Sequence, residues 1–422
     1  MNTRRTALFA ATAVVAALAT TACSNGGGGS SSTVLSIAST TDAKAAVEEA
    51  IAAFEAENPG VEVKATYAET DSLVTTLRTQ LSSGTAPDVL TVWPGYGNAM
   101  GMRVLQENGY LADLSDEAFA AKIPSGLQGL SQVDGKSWVL PLTVVGIGAI
   151  YNEQAVEAAG AEIPTTFDEV LDFCDAATAA GKVAFALGNQ AAWVTQLVNY
   201  ALVPTTVFQK EPDFDAKMAA GDATFVDSGW TTAFDEYMEM NSRGCFTADS
   251  LGTSFEATTA QVAAGDALAV VQVTSVLPGI RDQAPAGTTF SMFALPGDDD
   301  AEDTWMPAAL GFSLGVNAAS KNQELARKFI DFMASDKAMA SFATTSGSLP
   351  ALPTDAFEAD PALQILVDFQ AEGRTYPFMD QFWPNAKVQQ EHLDGVQKVF
   401  AGTATIDDVL AAMDAAYAEG VK

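Results

Sequence analysis

From Val34 onward, strand-length apolar runs alternate with segments whose apolar residues recur at helical spacing, and this alternation restricts the fold more than any other feature. Val34–Ala38 reads as a strand. Lys44–Glu57 sets Val47, Ile51 and Phe54 on one helical face, and Asn58-Pro59-Gly60 stops it. Val61, Val63, Ala65 and Tyr67 alternate as a second strand, Leu73, Leu77 and Leu81 line a second helix that ends at Gly84, and Val89–Val92 is a third strand. A β-α-β-α-β run of this kind predicts a parallel sheet with right-handed crossovers. The pattern recurs: Ser137–Leu140, Val144–Tyr151, Val183–Leu187, Ala267–Val273 and Leu310–Val316 read as extended. A capping box of Thr166 with Glu169 opens a helix to Ala180, and a second, Ser320 with Gln323, opens one carrying Leu325, Phe329, Ile330 and Met333. Final helices cover 387–400 and 406–418, and the acidic loop Asp298–Asp303 is the best linker between domains.

Charge and rare residues remove whole classes of function. Aspartate plus glutamate number 53 against 21 lysines and arginines, a net charge of −32. Phosphate recognition needs a basic surface, so neither nucleic acid nor an anionic lipid surface is a partner. The single histidine, His392, reads as part of a solvated helix face, and with three cysteines in all no zinc or haem set is available. Gly95-x-Gly97 with Gly101 has the wrong spacing for a dinucleotide fingerprint, there is no P-loop, and Asp298–Asp303 lacks the glycine and glutamate of an EF-hand. No cofactor, no metal and no catalytic constellation is expected.

The N-terminus carries Arg4 and Arg5, then the uncharged run Thr6–Ala22, too short to span a bilayer comfortably. Residues 1–22 read as an export signal, and Leu18-Ala19-Thr20-Thr21-Ala22-Cys23 resembles a bacterial lipoprotein signal, which implies lipidation of Cys23. The Gly/Ser-rich stretch 23–32 is a flexible tether of ~17 Å root-mean-square span. An exported chain meets oxidising conditions, so Cys174 and Cys245 form a disulfide or remain two buried thiols.

In an open parallel sheet, ligands bind outside the C-terminal strand ends. Three loops share that edge: Ser39–Asp42 with Thr40 and Thr41, Glu69-Thr70-Asp71, and Trp93–Tyr96. Their hydroxyls, carboxylates and rings suit a sugar, whose OH groups hydrogen-bond and whose C–H faces pack on aromatics. Helix capping is the alternative use of Ser39–Asp42 and Glu69–Asp71.

Several ordered segments then resemble one family. They are Ala86-Pro87-Asp88-Val89 after Gly84, Tyr151-Asn152, Pro164-Thr165-Thr166-Phe167-Asp168-Glu169, Gly265-Asp266-Ala267-Leu268, Ala294-Leu295-Pro296-Gly297, and Ala326–Met333 followed by Gly347-Ser348-Leu349-Pro350-Ala351. In this order they resemble the extracellular solute-binding proteins of ABC importers, specifically the sugar-binding group, family 1, typified by maltose-binding protein. The resemblance spans nearly all of 33–420. It implies an α/β, two-lobe, periplasmic-binding-protein-like fold with crossing hinge strands, lobe one being 33–143 with 304–340 and lobe two 144–303 with 341–422. It further implies a monomer that closes on a small-molecule sugar and docks on ABC permease subunits. Carried over by position, Trp383 after Asp380-Gln381-Phe382 is the foremost stacking residue. Asn189 and Trp193 follow a lobe-two strand. Gln272 and Thr274 stand where a Trp contact is missing, Gly311 and Phe312 form a contact loop, and Arg374 and Tyr376 complete the set. A secreted glycoside hydrolase using a carboxylate pair, and a binder of a polyamine or peptide, are the competing readings.

Overall fold

The computed structural model describes residues 33–421; the export segment, the tether and Cys23 lie outside the described residues. The strands in chain order are β1 (Val34–Thr40), β2 (Glu62–Ala68), β3 (Val89–Val92), β4 (Gln132–Val133), β5 (Lys136–Ser137), β6 (Leu140–Pro141), β7 (Thr143–Asn152), β8 (Val183–Phe185), β9 (Ala267–Val273), β10 (Phe290–Phe293), β11 (Met306–Leu310), β12 (Ser313–Val316), β13 (Leu349–Pro350) and β14 (Thr375–Tyr376). They form a first sheet in the order β2-β1-β3-β12-β6 and a second in the order β14-β11-β7-β9-β8, with β10 and β13 also paired to β7; β4 and β5 make a separate hairpin.

The first sheet follows from the patterning at the start of the chain. β1 pairs parallel with β2 and with β3, and helices Lys44–Glu57 and Thr70–Ser83 make the crossovers. On the edge strand β2, Val63, Ala65 and Tyr67 are half-buried while Glu62, Lys64 and Thr66 are exposed; central β3 is buried on both faces and shows no alternation. At the foot of β3, Asp88 accepts hydrogen bonds from the Ser36 amide (2.9 Å) and hydroxyl (2.7 Å), the Ser320 hydroxyl (2.6 Å) and the Asn322 amide. Although burial opposes it, this set holds the carboxyl below its usual range. The Ala86–Val89 segment is therefore a joint between β1, β3 and the turn at 317–322.

The second lobe is built on β7, which is buried along nearly its whole length. At Gly146 and Gly148 a Cβ would approach the Met306 and Met292 methyls to 2.8 and 2.7 Å, so only glycine lets β11 and β10 pack this closely. The core beyond is aromatic: Tyr200, Phe225, Trp230, Phe234, Tyr237 and Trp383 are almost wholly buried. Cys174 and Cys245 are joined in a disulfide with Cα atoms 4.9 Å apart, tying helix Phe167–Ala179 to the end of helix Gly229–Arg243. Closing a loop of 71 residues restricts the unfolded chain by on the order of 4 kcal/mol in the chain-entropy picture.

The chain passes between the sheets three times. β6 leads into β7 through Leu142, β11 leads into β12 through Gly311-Phe312, and helix Asp336–Thr345 leads into β13. Thr143 pins the first two crossings together: its carbonyl accepts from Gly311 N–H (2.9 Å) and its hydroxyl from Phe312 N–H (2.8 Å). The crossings differ from the expected lobe boundaries. Residues 306–310, placed from the sequence in lobe one, pair in the second sheet, 306–307 with β14 and 308–310 with β7. Helix Asp336–Thr345, divided at 340, packs wholly on lobe one, where Glu49 accepts from Thr345 (2.6 Å). The acidic loop is not a linker either: Lys210 pairs with Asp298 (2.7 Å) and Gln209 with Asp303 (2.8 Å), both within lobe two.

Both capping boxes change in detail. Thr166 caps the Glu169 amide, and the Glu169 carboxylate accepts chiefly from the Thr165 amide and hydroxyl (2.8 Å each), with the Thr166 amide a weaker partner. Ser320 bonds Asp88 instead of capping, and the helix begins at Gln323 after Asn322.

Candidate functional site

The crossings leave a cleft of about 470 Å³ between the sheets, within the ~300–1,000 Å³ range of small-molecule sites. Its lobe-one wall is the C-terminal edge of the first sheet: Thr40 and Asp42 beyond β1, Thr70 and Asp71 beyond β2, and Trp93, Pro94 and Asn98 beyond β3. Its floor is the hinge, with Thr143, Leu310, Gly311 and Phe312. Its lobe-two wall consists of Trp193, Gln196 and Tyr200 around helix Leu197–Val203, Gln389 and Gln390 from helix Lys387–Phe400, and the turn Phe378–Gln381.

That turn meets the loop after β3 at backbone distance. Tyr96 N–H donates to the Gln381 carbonyl (3.3 Å). A Cβ on Gly95, where φ is +56°, would stand 1.9 Å from the same oxygen, and one on Gly97 2.4 Å from the Asp380 Oδ2. These two glycines are the physical content of the Gly95-x-Gly97 motif: they let the two segments touch.

Asp380 is the most perturbed acid on the lining. Burial pushes its carboxyl up to about 7, partly offset by the Tyr200 hydroxyl that faces it. Gln389 Nε2 donates to Asp380 Oδ2 (3.2 Å) and to Gln196 Oε1 (3.0 Å). Gln381 Nε2 donates to the Leu310 carbonyl (2.9 Å), while its buried Oε1 has no protein partner. At the mouth the lobes face each other. The Ala192 amide points at the Asp71 carboxylate, and Glu256 of lobe two stands against Glu69 of lobe one. Glu69 is raised, first by desolvation, and Glu256 and Asp42 add to the effect while Thr41 opposes it.

Of the residues singled out in the sequence, Thr40, Asp71, Trp93, Trp193, Gly311 and Phe312 line the cleft. Thr41 and Glu69 stand at its mouth. The others lie elsewhere. Trp383 is 2% exposed and packs in the lobe-two core against Tyr200, Phe225 and Trp230, with ring centroids 6.3, 5.8 and 6.0 Å away. Tyr376 stacks on Phe208 and donates to Asp215 (2.6 Å), and Arg374 pairs with Glu372 over the Phe369 ring. Tyr96 turns to Glu107, and Asn189, Gln272 and Thr274 are sealed in the interior. His392 is not solvated: it is fully buried, stacked on Tyr200 and beside Asn199 (3.1 Å), and burial lowers it to about 3. Its apolar surroundings come from Trp230 and Phe234, 162 and 158 residues away in sequence, which no local pattern discloses.

Sequence reasoning passes over Gln196, Tyr200, Asp380, Gln381 and Gln389. A signal was present for two of them, since Asp380 and Gln381 lead directly into Trp383. The segment reaches the cleft through Asp380 and Gln381, while Trp383 turns into the core. Among the described residues no group of three or more His, Cys, Asp or Glu side chains is placed to hold a metal ion. The site offers ring faces, amides, hydroxyls and carboxylates, a set suited to holding a polar solute in place.

The sequence model for the bacterial extracellular solute-binding proteins matches residues 37–340. The chain belongs to that family. This solute-binding protein resembles the "Multiple sugar-binding protein" of Streptococcus mutans, 23% identical over 342 residues and 80% of each chain. In three dimensions it is similar to a chitin oligosaccharide binding protein (TM-score 0.77, 20% identity, 92% of this chain and 99% of that one). It is also similar to RafE in complex with raffinose (TM-score 0.76, 18% identity, 92% and 100%). The apo form of RafE from Streptococcus pneumoniae matches at 0.67 (18% identity, 94% and 100%). The two-lobe α/β architecture is thus that of the family, and family membership gives the protein an extracellular or periplasmic setting.

Proposed function

We propose that this solute-binding protein captures a carbohydrate, a mono- or oligosaccharide, between its lobes and delivers it unaltered to an ABC permease. The supporting observation is the cleft itself: about 470 Å³ held between two lobes, its lining joining Trp93, Trp193, Phe312 and Phe378 to hydroxyls, amides and carboxylates. Ring faces pack on sugar C–H faces while the polar groups hydrogen-bond OH groups. The names of its relatives agree, since a curated relative is a sugar-binding protein and structural neighbours hold raffinose or stachyose. Thr40, Asp71, Trp93, Trp193, Gly311 and Phe312 are the ligand contacts of this reading, now joined by Gln196, Asp380, Gln381 and Gln389.

In the same reading the protein is a monomer, anchored by a lipid on Cys23 and extended from the outer face of the membrane by 23–32. A ligand preferring the closed arrangement shifts the lobes toward it, and contacts from both walls supply that preference. The Asp71–Ala192 and Glu69–Glu256 approaches belong to the closed arrangement.

A thermal-shift panel of saccharides, polyamines and peptides tests the proposal. A saccharide at 100 times its dissociation constant should stabilise the protein by about 2.7 kcal/mol and be recovered intact. Turnover of the saccharide, or stabilisation by polyamines or peptides alone, would contradict it.

A further inference from the structure

We infer that the cleft selects a saccharide carrying a basic nitrogen, an amino sugar, whose ammonium sits against Asp380 and Gln381. The inference rests on the carbohydrate reading above and narrows its ligand class. Two observations carry it. First, the ionisable side chains on the lining are Asp42, Asp71 and Asp380 against Arg78 alone, apart from the Tyr200 phenol. Second, the Asp380–Gln381 turn of the lobe-two wall presents acceptors, and the one uncommitted donor beside them is the Tyr200 hydroxyl that faces Asp380. Asp380 is 8% exposed and Gln381 4% exposed. The Gln381 Oε1 is unpartnered, and the amide nitrogens of Gln381 and Gln389 are already engaged by Leu310, Gln196 and Asp380.

An ammonium brings three donors and no acceptor, which matches the Asp380 carboxyl and the unpartnered Gln381 Oε1. A hydroxyl brings one donor only, and its own acceptor finds a single donor there, the Tyr200 hydroxyl. A buried carboxylate without a cation is costly, and a cation placed against it offsets part of that cost. The groups facing Asp380 are few. Tyr200 faces it from helix Leu197–Val203, Gln389 from helix Lys387–Phe400 and Gly97 from the loop after β3, and His392 lies behind Tyr200 in the core. None of them supplies a positive charge to the carboxyl. Burial leaves it titrating near neutrality, so an arriving ammonium displaces a proton at mildly acid pH.

The test is titration calorimetry with glucosamine oligomers and their N-acetylated counterparts of equal length, on the wild type and on Asp380→Asn. The wild type should bind the amino form at least about tenfold more tightly. That preference should grow with pH above about pH 5 as the carboxyl ionises, until the sugar ammonium itself begins to lose its proton near neutrality. Below pH 7 it should be accompanied by proton release, read from the difference between buffers of unlike ionisation enthalpy. In Asp380→Asn, with its melting temperature kept, preference and proton release should both vanish. Should the variant not fold, the wild-type proton release alone decides, its absence overturning the inference. Equal or tighter binding of the acetylated forms overturns the inference and leaves the carbohydrate reading intact, as does a preference that survives in folded Asp380→Asn. Binding of no saccharide at all overturns both.

Discussion

The lobe-one wall of the cleft consists of loops leaving the C-terminal ends of β1, β2 and β3, whereas the lobe-two wall consists of helix faces and one turn brought in from residues 378–390. The loops are placed by topology alone: once the strands are parallel and sequential, their ends must share an edge. Helix faces are placed by packing. Which turn of Leu197–Val203 looks into the cleft depends on the Trp230, Trp383 and His392 rings behind Tyr200. The same contrast separates two tryptophans, since Trp193 lines the cleft beside Phe255 and Trp383 braces the wall from behind.

The largest expected effect sharpens that pair. Trp383→Ala should cost roughly 3–5 kcal/mol of folding stability, measured by denaturant unfolding, while the fraction still folded binds ligand within about twofold of wild type. Native stability with lost affinity would return Trp383 to the site. Next is the pH response of the backing layer. His392 is neutral in the fold with its value lowered to about 3, against ~6.5 when unfolded. The unfolded chain therefore binds the extra proton between these values, and stability is full above ~6.5 and lost as pH falls. The slope approaches about 1.4 kcal/mol per pH unit. In His392→Phe this part of the acid slope should disappear; an unchanged slope between about pH 6.5 and about pH 4.5 would mean the ring is solvated.

Trp193→Ala addresses the cleft face directly. It should cost on the order of 2 kcal/mol in ligand affinity, as buried aromatic anchors do, with little change in melting temperature. The last substitution tests the seam between the walls. Gly95→Ala combines a positive φ with a methyl 1.9 Å from the Gln381 backbone carbonyl, and because backbone must shift it should cost more than the ~1–3 kcal/mol of the φ strain alone. Because Gly95 joins the lobe-one loop to the turn carrying Asp380, the loss should be read in ligand affinity as well as in stability. Affinity equal to wild type would show that the contact does not shape the site.

Much of the fold was legible because it rests on local periodicity. The two crossover helices follow from spacing 3.6 and the edge strand β2 from spacing two, while β1, β3 and β7 read as continuous apolar runs because they are buried on both faces. The hinge was legible only approximately, since β11 and β12 read as one strand, Leu310–Val316, and nothing in that run says that Gly311-Phe312 changes sheets. The motifs of the resemblance had a different content from the one function suggests: Asp88 joins strands, and Asn152 caps a helix through Ala155 while holding the Val262 carbonyl. Trp383 was misplaced for a physical reason. The Asp380–Trp383 segment does reach the cleft, but its short helical turn sends the small polar side chains inward to the ligand space and the indole into a preformed aromatic core.

The central claim is that two lobes close on one saccharide and leave it unchanged. Small-angle scattering, recorded with and without a saturating saccharide found by the panel, tests this most directly. The account predicts that the ligand reduces the radius of gyration and that the liganded curve fits the arrangement described here, with the saccharide recovered intact. Superimposable curves at saturation, together with a ligand contacting one lobe only, would contradict it.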